Sequence, residues 1–313
     1  MEDENKQLVS LVDTSRFDKI TEAVVQALNL IHFDFNKEFR KIAIKPNLCY
    51  YWRNSTGETT DPRVVEAVID IFMNNCNTND IYIVESDATV MRTKYAFKML
   101  DYEKLALRKG AKLINLCEDV LHPAKESAAE SFPHQIKIPE TLTKVDLFIS
   151  VPKLKVHSIT GLSCALKNQF GCIPVRRKVV FHKKLNRVIA FINKLITPDL
   201  VLVDGIVSKG RTPKRLNLVM AGYNPVAVDF IAAKIAGLNP RRVKHIVESE
   251  KLGVGSTNVK CLGDDLSQFG NMFPQRGFLY DVYSKGLFKL YDLYLRLLTS
   301  EGRVFGLRSS WGG

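Results

Sequence analysis

Between Asp146 and Asp199 the chain has no aspartate or glutamate, although 33 acids in 313 residues would place about five in a stretch of 52. Ten lysines and arginines fall there instead, with His157 and His182, so the stretch holds ten of the twelve excess positive charges. Basicity confined in this way indicates a local site rather than a generally cationic protein. Long hydrophobic runs are missing too: none approaches the roughly 18 to 20 residues of a membrane span. The N-terminus Met1-Glu2-Asp3-Glu4-Asn5 is acidic where a signal peptide is basic, and a cytoplasmic location is the expectation. Six scattered cysteines form no Cys-x-x-Cys pair and no ferredoxin-like spacing, so the thiols are expected to be reduced and mostly structural. No Gly-x-Gly-x-x-Gly follows a strand, and a Walker loop, a nucleophile elbow and His-Glu-x-x-His are all absent, which disfavours standard nucleotide hydrolysis and serine hydrolase chemistry.

What the chain does contain is short β-branched runs alternating with segments of helical period. That pattern predicts an α/β fold with a largely parallel or mixed sheet flanked by helices. Strands are expected at Leu8–Val12, Lys41–Ile44, Ile81–Val84, Ala111–Leu116, Val145–Val151, Leu200–Val203 and Leu216–Ala221. Helices are expected at Phe17–Leu30, after Asp61-Pro62, at Lys94–Lys109 and at Val226–Gly237. Residues 121–130 read as an exposed loop. Residues 1–265 are taken as the α/β domain, with a division into two lobes near 145–200 left open, and 266–313 as a C-terminal amphipathic helical tail. Between Phe278 and Leu298 dense aromatics mixed with Lys285, Lys289 and Arg296 suggest docking on the body or on a second copy, as in a homo-oligomer, or a peripheral membrane contact.

Ligands of parallel α/β sheets sit beyond the carboxyl ends of the strands, which selects Lys45 and Asn47, Glu85 and Asp87, Lys153, Lys155 and His157, and Asp204. In Lys153-Leu154-Lys155-Val156-His157 the alternation turns both lysines and the histidine to one face, a row able to neutralise an anion beside a titratable imidazole. Thr160-Gly161 offers a turn into a helix whose first N–H groups could bind a carboxylate or phosphate. Lys167 stands among Gly161, Cys164, Ala165, Leu166 and Gly171, where desolvation would lower its pKa toward the range of proton transfer or Schiff-base formation. The second cluster, Arg176-Arg177-Lys178 with His182-Lys183-Lys184, suits a phosphate clamp, nucleic acid or a solvated helix. Nucleic acid is disfavoured because no zinc-finger, helix-turn-helix or aromatic-rich RNA-binding signature accompanies it. Asp229 has only apolar neighbours on its helix face and therefore needs a partner: its own helix N-terminus, a cation of the basic segment, or a metal shared with Asp204. Two carboxylates without a histidine spacing give no metal assignment.

Ile44-Lys45-Pro46-Asn47-Leu48, Thr59-Thr60-Asp61-Pro62, Val151-Pro152-Lys153-Leu154-Lys155-Val156-His157, Thr160-Gly161 through Lys167-Asn168 with Phe170-Gly171, Ile173-Pro174, Val203-Asp204-Gly205-Ile206 and Pro225-Val226-Ala227-Val228-Asp229 resemble, in order and spacing, the domain of unknown function 362 family over about residues 40–250. Some members of that family are joined to iron–sulfur modules, but the cysteine motif is lacking here. At Glu85-Ser86-Asp87 the family more often has Gly-Asp-Ser. A fainter likeness over Gly161–Pro174 is to the lactate-racemase-like family, in which a small-residue segment carries a cofactor-bearing lysine. It makes Lys167 the matching position and His157 and His182 the candidate bases. Ser163, Cys164, Ala165 and Leu166 replace most of that family's glycines, so no cofactor is carried over and the cofactor stays unknown.

The expectation is an enzyme, an oxidoreductase or isomerase, that binds a small anionic ligand at a Lys/His-rich site. His157, Lys167 and His182 are its catalytic candidates. Lys45, Asn47, Lys153, Lys155, Thr160, Asn168, Arg176, Asp204 and Asp229 are its binding candidates. The alternatives are a non-catalytic protein docking to nucleic acid or anionic membrane, and a partner in iron–sulfur electron transfer.

Overall fold

A computed structural model describes residues 7–124 and 136–274, together with Asn5, Gly286 and Leu290. Its first half runs β1 (Leu8–Asp13), α1 (Ile20–Leu30), β2 (Lys41–Pro46), α2 (Pro62–Asn75), β3 (Asp80–Glu85), α3 (Thr93–Met99), α4 (Tyr102–Lys109), β4 (Lys112–Asn115), β5 (Leu121–Pro123), β6 (Lys137–Pro139) and β7 (Leu147–Val151). Then follow β8 (Lys153–His157), β9 (Gly161–Ser163), α5 (Ala165–Asn168), α6 (Leu185–Leu195), β10 (Leu200–Lys209), β11 (Pro213–Gly222), α7 (Pro225–Ile235), α8 (Lys244–Lys251), β12 (Lys260–Gly263) and α9 (Leu266–Met272).

The fold is α/β, a mixed sheet between two helical layers. Strand order is β12-β1-β11-β10-β7-β2-β3-β4, with β8 attached to β10 and β9 to β8. β10, β7, β2, β3 and β4 run parallel, while β11 pairs antiparallel with both β1 and β10. Alternation along the strands separates two cores. Val9, Ala43, Val201, Val203, Leu218 and Met220 join α5, α6, α7 and α8 on one face. Leu8, Val12, Ile42, Ile44, Leu200, Leu202, Val219 and Ala221 join α1, α2 and α4 on the other. Each fully buried aliphatic side chain contributes about 1.5–3 kcal/mol, so a one-residue slip of any central strand would be heavily penalised.

Asp61 caps α2 by accepting from Arg63 N at 3.0 Å, with Pro62 at its first turn. Asn224 caps α7 through Val226 N and Ala227 N. Some boundaries differ from the sequence reading. The helix expected over Lys94–Lys109 is divided at Leu100-Asp101, where Asp101 has φ +64°. β10 does not close at Asp204-Gly205 but runs on to Lys209 through an irregularity between Gly205 and Val207. The start of the expected loop, Leu121–Pro123, is β5, which pairs with β6 beyond it; residues 125–135 lie outside the described ones. β7 and β10, on either side of the 145–200 stretch, are neighbours in one sheet. Phe269 and Phe273 at the end of the described chain are core residues, whereas the tail expected over 278–298 lies outside the described residues apart from Gly286 and Leu290. Among the described residues no helix is long and apolar enough to cross a membrane.

Candidate functional site

Chain order reverses across the sheet at β2 and β7, since β3 and β4 lie on one side of that pair and β10 on the other. A cavity of about 520 Å³ opens beside the carboxyl ends of β2 and β3, where such a reversal parts the connections. Its lining includes Lys45, Lys155, Lys167, Lys178 and Lys209, against two carboxylates among the described residues, Glu58 and Glu85. Asn47, Cys49, Ser86, His157, Asn168 and His182 are also on its wall.

The two carboxylates are committed. Glu85 Oε2 accepts from Lys45 Nζ at 3.0 Å and from Leu48 N at 3.2 Å, and Oε1 accepts from Ser86 N at 2.9 Å. Lys45 also donates to Asn168 Oδ1 at 3.2 Å and Pro46 O at 3.0 Å. Asn168 is fixed in turn, donating to Lys45 O and Ser150 Oγ. Glu58 Oε2 accepts from Lys155 at 2.9 Å and Oε1 from Lys209. Burial works to raise Glu58, but Lys155 and Lys209 hold it below the ordinary carboxyl value. For Lys155 burial works downward, and Cys49 and Glu58 hold it above the ordinary lysine value.

Lys167 and Lys178 differ from these. Lys178 Nζ donates to Ser86 Oγ and Asp87 O, both at 2.6 Å, and to no carboxylate. Lys167 makes no hydrogen bond or ion pair among the described residues. Burial is the largest influence on each and brings both ammonium groups down to about 8.

The segment carrying Lys167 is built by long-range contacts. Gly161, at φ +77°, makes the turn from β8 into β9, a conformation costly for other residues. The chain then enters α5, whose first N–H groups at Ala165 and Leu166 donate to Asp229 Oδ1 and Oδ2 at 2.7 and 3.2 Å. Asn193 of α6 donates to Leu166 O at 2.8 Å. Nδ1 of His157 faces the backbone N–H groups of Ile159 and Thr160 at 3.3 and 3.4 Å. Thr160 Oγ1 also stands 3.1 Å from that nitrogen while donating to Leu162 O.

Gly171 lets the backbone pass close to the Lys45–Glu85 pair. A Cβ there would stand 2.5 Å from Lys45 Nζ and 2.6 Å from Glu85 Oε1. Gly171→Ala is expected to part that ion pair and destabilise the fold by about 1–3 kcal/mol, as overpacking does. Urea denaturation checks this, and an unchanged midpoint would mean that Lys45 moves aside freely.

The family model for Domain of unknown function (DUF362) matches residues 42–234. The chain belongs to this family. The match spans β2 to α7 and so contains both carboxylates and all five lysines of the cavity. Thylakoid-associated protein sll1697 of Synechocystis sp. (strain ATCC 27184 / PCC 6803 / Kazusa) is 30% identical over 142 residues, covering 41% of this chain and 44% of that protein. The chain thus spans less than half the length of that relative. Two solved structures are similar at 12% identity. A protein from Thermotoga maritima has a TM-score of 0.37, with 74% of this chain and 59% of that one covered. The lactate racemase apoprotein from Thermoanaerobacterium thermosaccharolyticum has a TM-score of 0.43, with 75% and 58% covered.

Of the twelve catalytic and binding candidates named from sequence, Lys45, Asn47, Lys155, His157, Lys167, Asn168 and His182 line the cavity together. Five do not. Lys153 lies beneath it, fully buried, its Nζ 2.8 Å from Asp204 Oδ2. Asp204 also accepts from Asp61 N and Ile206 N, so neither member of that pair is available to a ligand. Asp229 is likewise consumed, by α5 and by His245 Nε2 at 3.5 Å. It therefore meets neither a basic-segment lysine nor Asp204, and the helix N-terminus expected to receive a ligand anion receives Asp229 instead. Thr160 is buried and donates to Leu162 O. Arg176 is exposed and away from the lining; Lys178, two residues on, turns inward. Lys178, Lys209, Glu58 and Cys49 were not among the selected candidates. Glu58 sits in a loop with no motif of its own. Lys209 ends a strand that the sequence pattern closes too early.

Proposed function

We propose that the cavity binds a small organic anion and that Lys167 moves a proton on it, in an isomerase-type reaction. The observation behind this reading is Lys167: an amine brought down to about 8 by burial, on the wall of a cavity whose other cations are held. Near neutral pH a useful fraction of it is unprotonated and can act as base. In the proposed step Nζ takes the proton from a carbon next to a carbonyl or carboxylate. The C–H electron pair then forms the carbon–carbon double bond of an enolate. Lys45 and Lys155, fixed on the wall, would stabilise the enolate oxygen by their charge. Return of the proton from Lys167 completes the exchange without oxidant or reductant.

The test follows exchange of carbon-bound hydrogen for deuterium by NMR, using pyruvate, 2-oxobutyrate and 2-oxoglutarate as probes. Exchange above the buffer rate is expected for at least one of them, rising with pH through about 8 as Lys167 loses its proton. Lys167→Met should reduce it by 10²-fold or more, the typical worth of a general base. Equal exchange in Lys167→Met, or none with any probe, would sink the assignment.

A further inference from the structure

The formal charges of the cavity do not balance, and the imbalance has a location. Glu58 serves Lys155 and Lys209, and Glu85 serves Lys45. Lys178 is only 7% exposed, yet among the described residues its hydrogen-bond partners are the neutral oxygens Ser86 Oγ and Asp87 O. An ammonium has three N–H donors, so one remains for a further acceptor. Removing a charge from water without a counter-charge is costly, and among the described residues no carboxylate hydrogen-bonds to Lys178; Glu85 acts on it through space but is itself bonded to Lys45. Ser86 is held in place, donating to Gly171 O and making a longer contact to Ile173 O at 3.3 Å. The nearby titratable groups are Glu85, Cys117, Cys172 and Lys45, and Lys45 acts electrostatically on both Lys178 and Lys167. Both lysines line the cavity, and neither donates to a carboxylate among the described residues.

We propose that Lys178 forms a second anion subsite, so that the ligand of this cavity is a small dicarboxylate, with one carboxylate at the Lys167 side and the other at Lys178. This rests on the reading of the cavity as the ligand site. A carboxylate is favoured over a phosphate because Lys178 offers one remaining N–H and, among the described residues, no arginine, the group suited to a phosphate's several oxygens, lines the cavity. Subsite and base have separate tasks. Lys178 fixes where the substrate lies, and Lys167 is left to act on it.

Isothermal titration with succinate, glutarate and the monocarboxylate butyrate tests this in the full-length chain. A dicarboxylate is expected to bind roughly ten- to hundredfold more tightly than butyrate, the worth of one hydrogen bond to a charged group. Lys178→Met should abolish that preference while leaving butyrate affinity within about twofold. The wild-type ratio stands as a test even if the variant fails to fold, and Ser86→Ala gives a second variant expected to weaken the preference. Equal affinity for butyrate and both dicarboxylates overturns the subsite and leaves the cavity reading intact. No binding of any of the three overturns both.

Discussion

Lys153→Met is expected to destabilise the fold by about 3–5 kcal/mol, the cost of stripping one partner from a buried ion pair. Lys153 and Asp204 are both fully buried, and Asp204 Oδ2 also receives Asp61 N at 2.7 Å. Without the ammonium, the carboxylate keeps its charge but only backbone N–H groups from Asp61 and Ile206 to solvate it. Thermal unfolding followed by circular dichroism should move down by on the order of 10 °C, and urea denaturation gives the free energy. Pairing it with Asp204→Leu should recover part of the loss, because no lone charge is then left buried. Recovery would stay partial, since two backbone donors lose their acceptor. A single-variant loss below about 1 kcal/mol would show that water reaches the pair.

Asp229→Ala should cost a similar amount, about 3–5 kcal/mol, from two hydrogen bonds to a charged acceptor at roughly 1.5–3 kcal/mol each. Its functional effect should be larger than its distance from the cavity suggests. Asp229 anchors Ala165 N and Leu166 N, and Lys167 and Asn168 follow on the same short helix. Loss of the anchor should release both cavity residues together. Succinate binding would then be lost under conditions where the variant is still folded, while Asp229→Asn, which keeps one acceptor oxygen, should fall between. If Asp229→Ala binds as well as the parent, α5 holds its position without that carboxylate.

The fold was legible to the extent that side-chain period carries it. β1, β2, β3, β7 and α2 fall within a few residues of expectation because each is a short apolar run buried in the sheet or a helix with a cap of known chemistry. Breaks set by tertiary contact were not legible. Asp101 continues a good helical pattern in sequence yet adopts a left-handed conformation, and β10 outruns its apolar stretch because β8 continues the ladder after β7 ends. The same holds for the site. Asp229 was recognised as a buried carboxylate needing a partner, but the partner is a four-residue helix 64 positions earlier, too short to show a period. Arg176 and Lys178 sit in one basic run, and only packing decides which of them turns inward.

The acid-free stretch has a consequence for assembly. The carboxylate that answers its Lys155 comes from a distant part of the chain: Glu58 meets Lys155 across 97 residues, and Lys209, beyond the stretch, across 151. Contacts of such range close late in folding, after the loops between them have been ordered. The cavity therefore forms only with the whole sheet, and any molecule it holds adds its binding energy to the stability of the entire fold. A melting-temperature screen of organic acids would accordingly report on this site before its reaction is known.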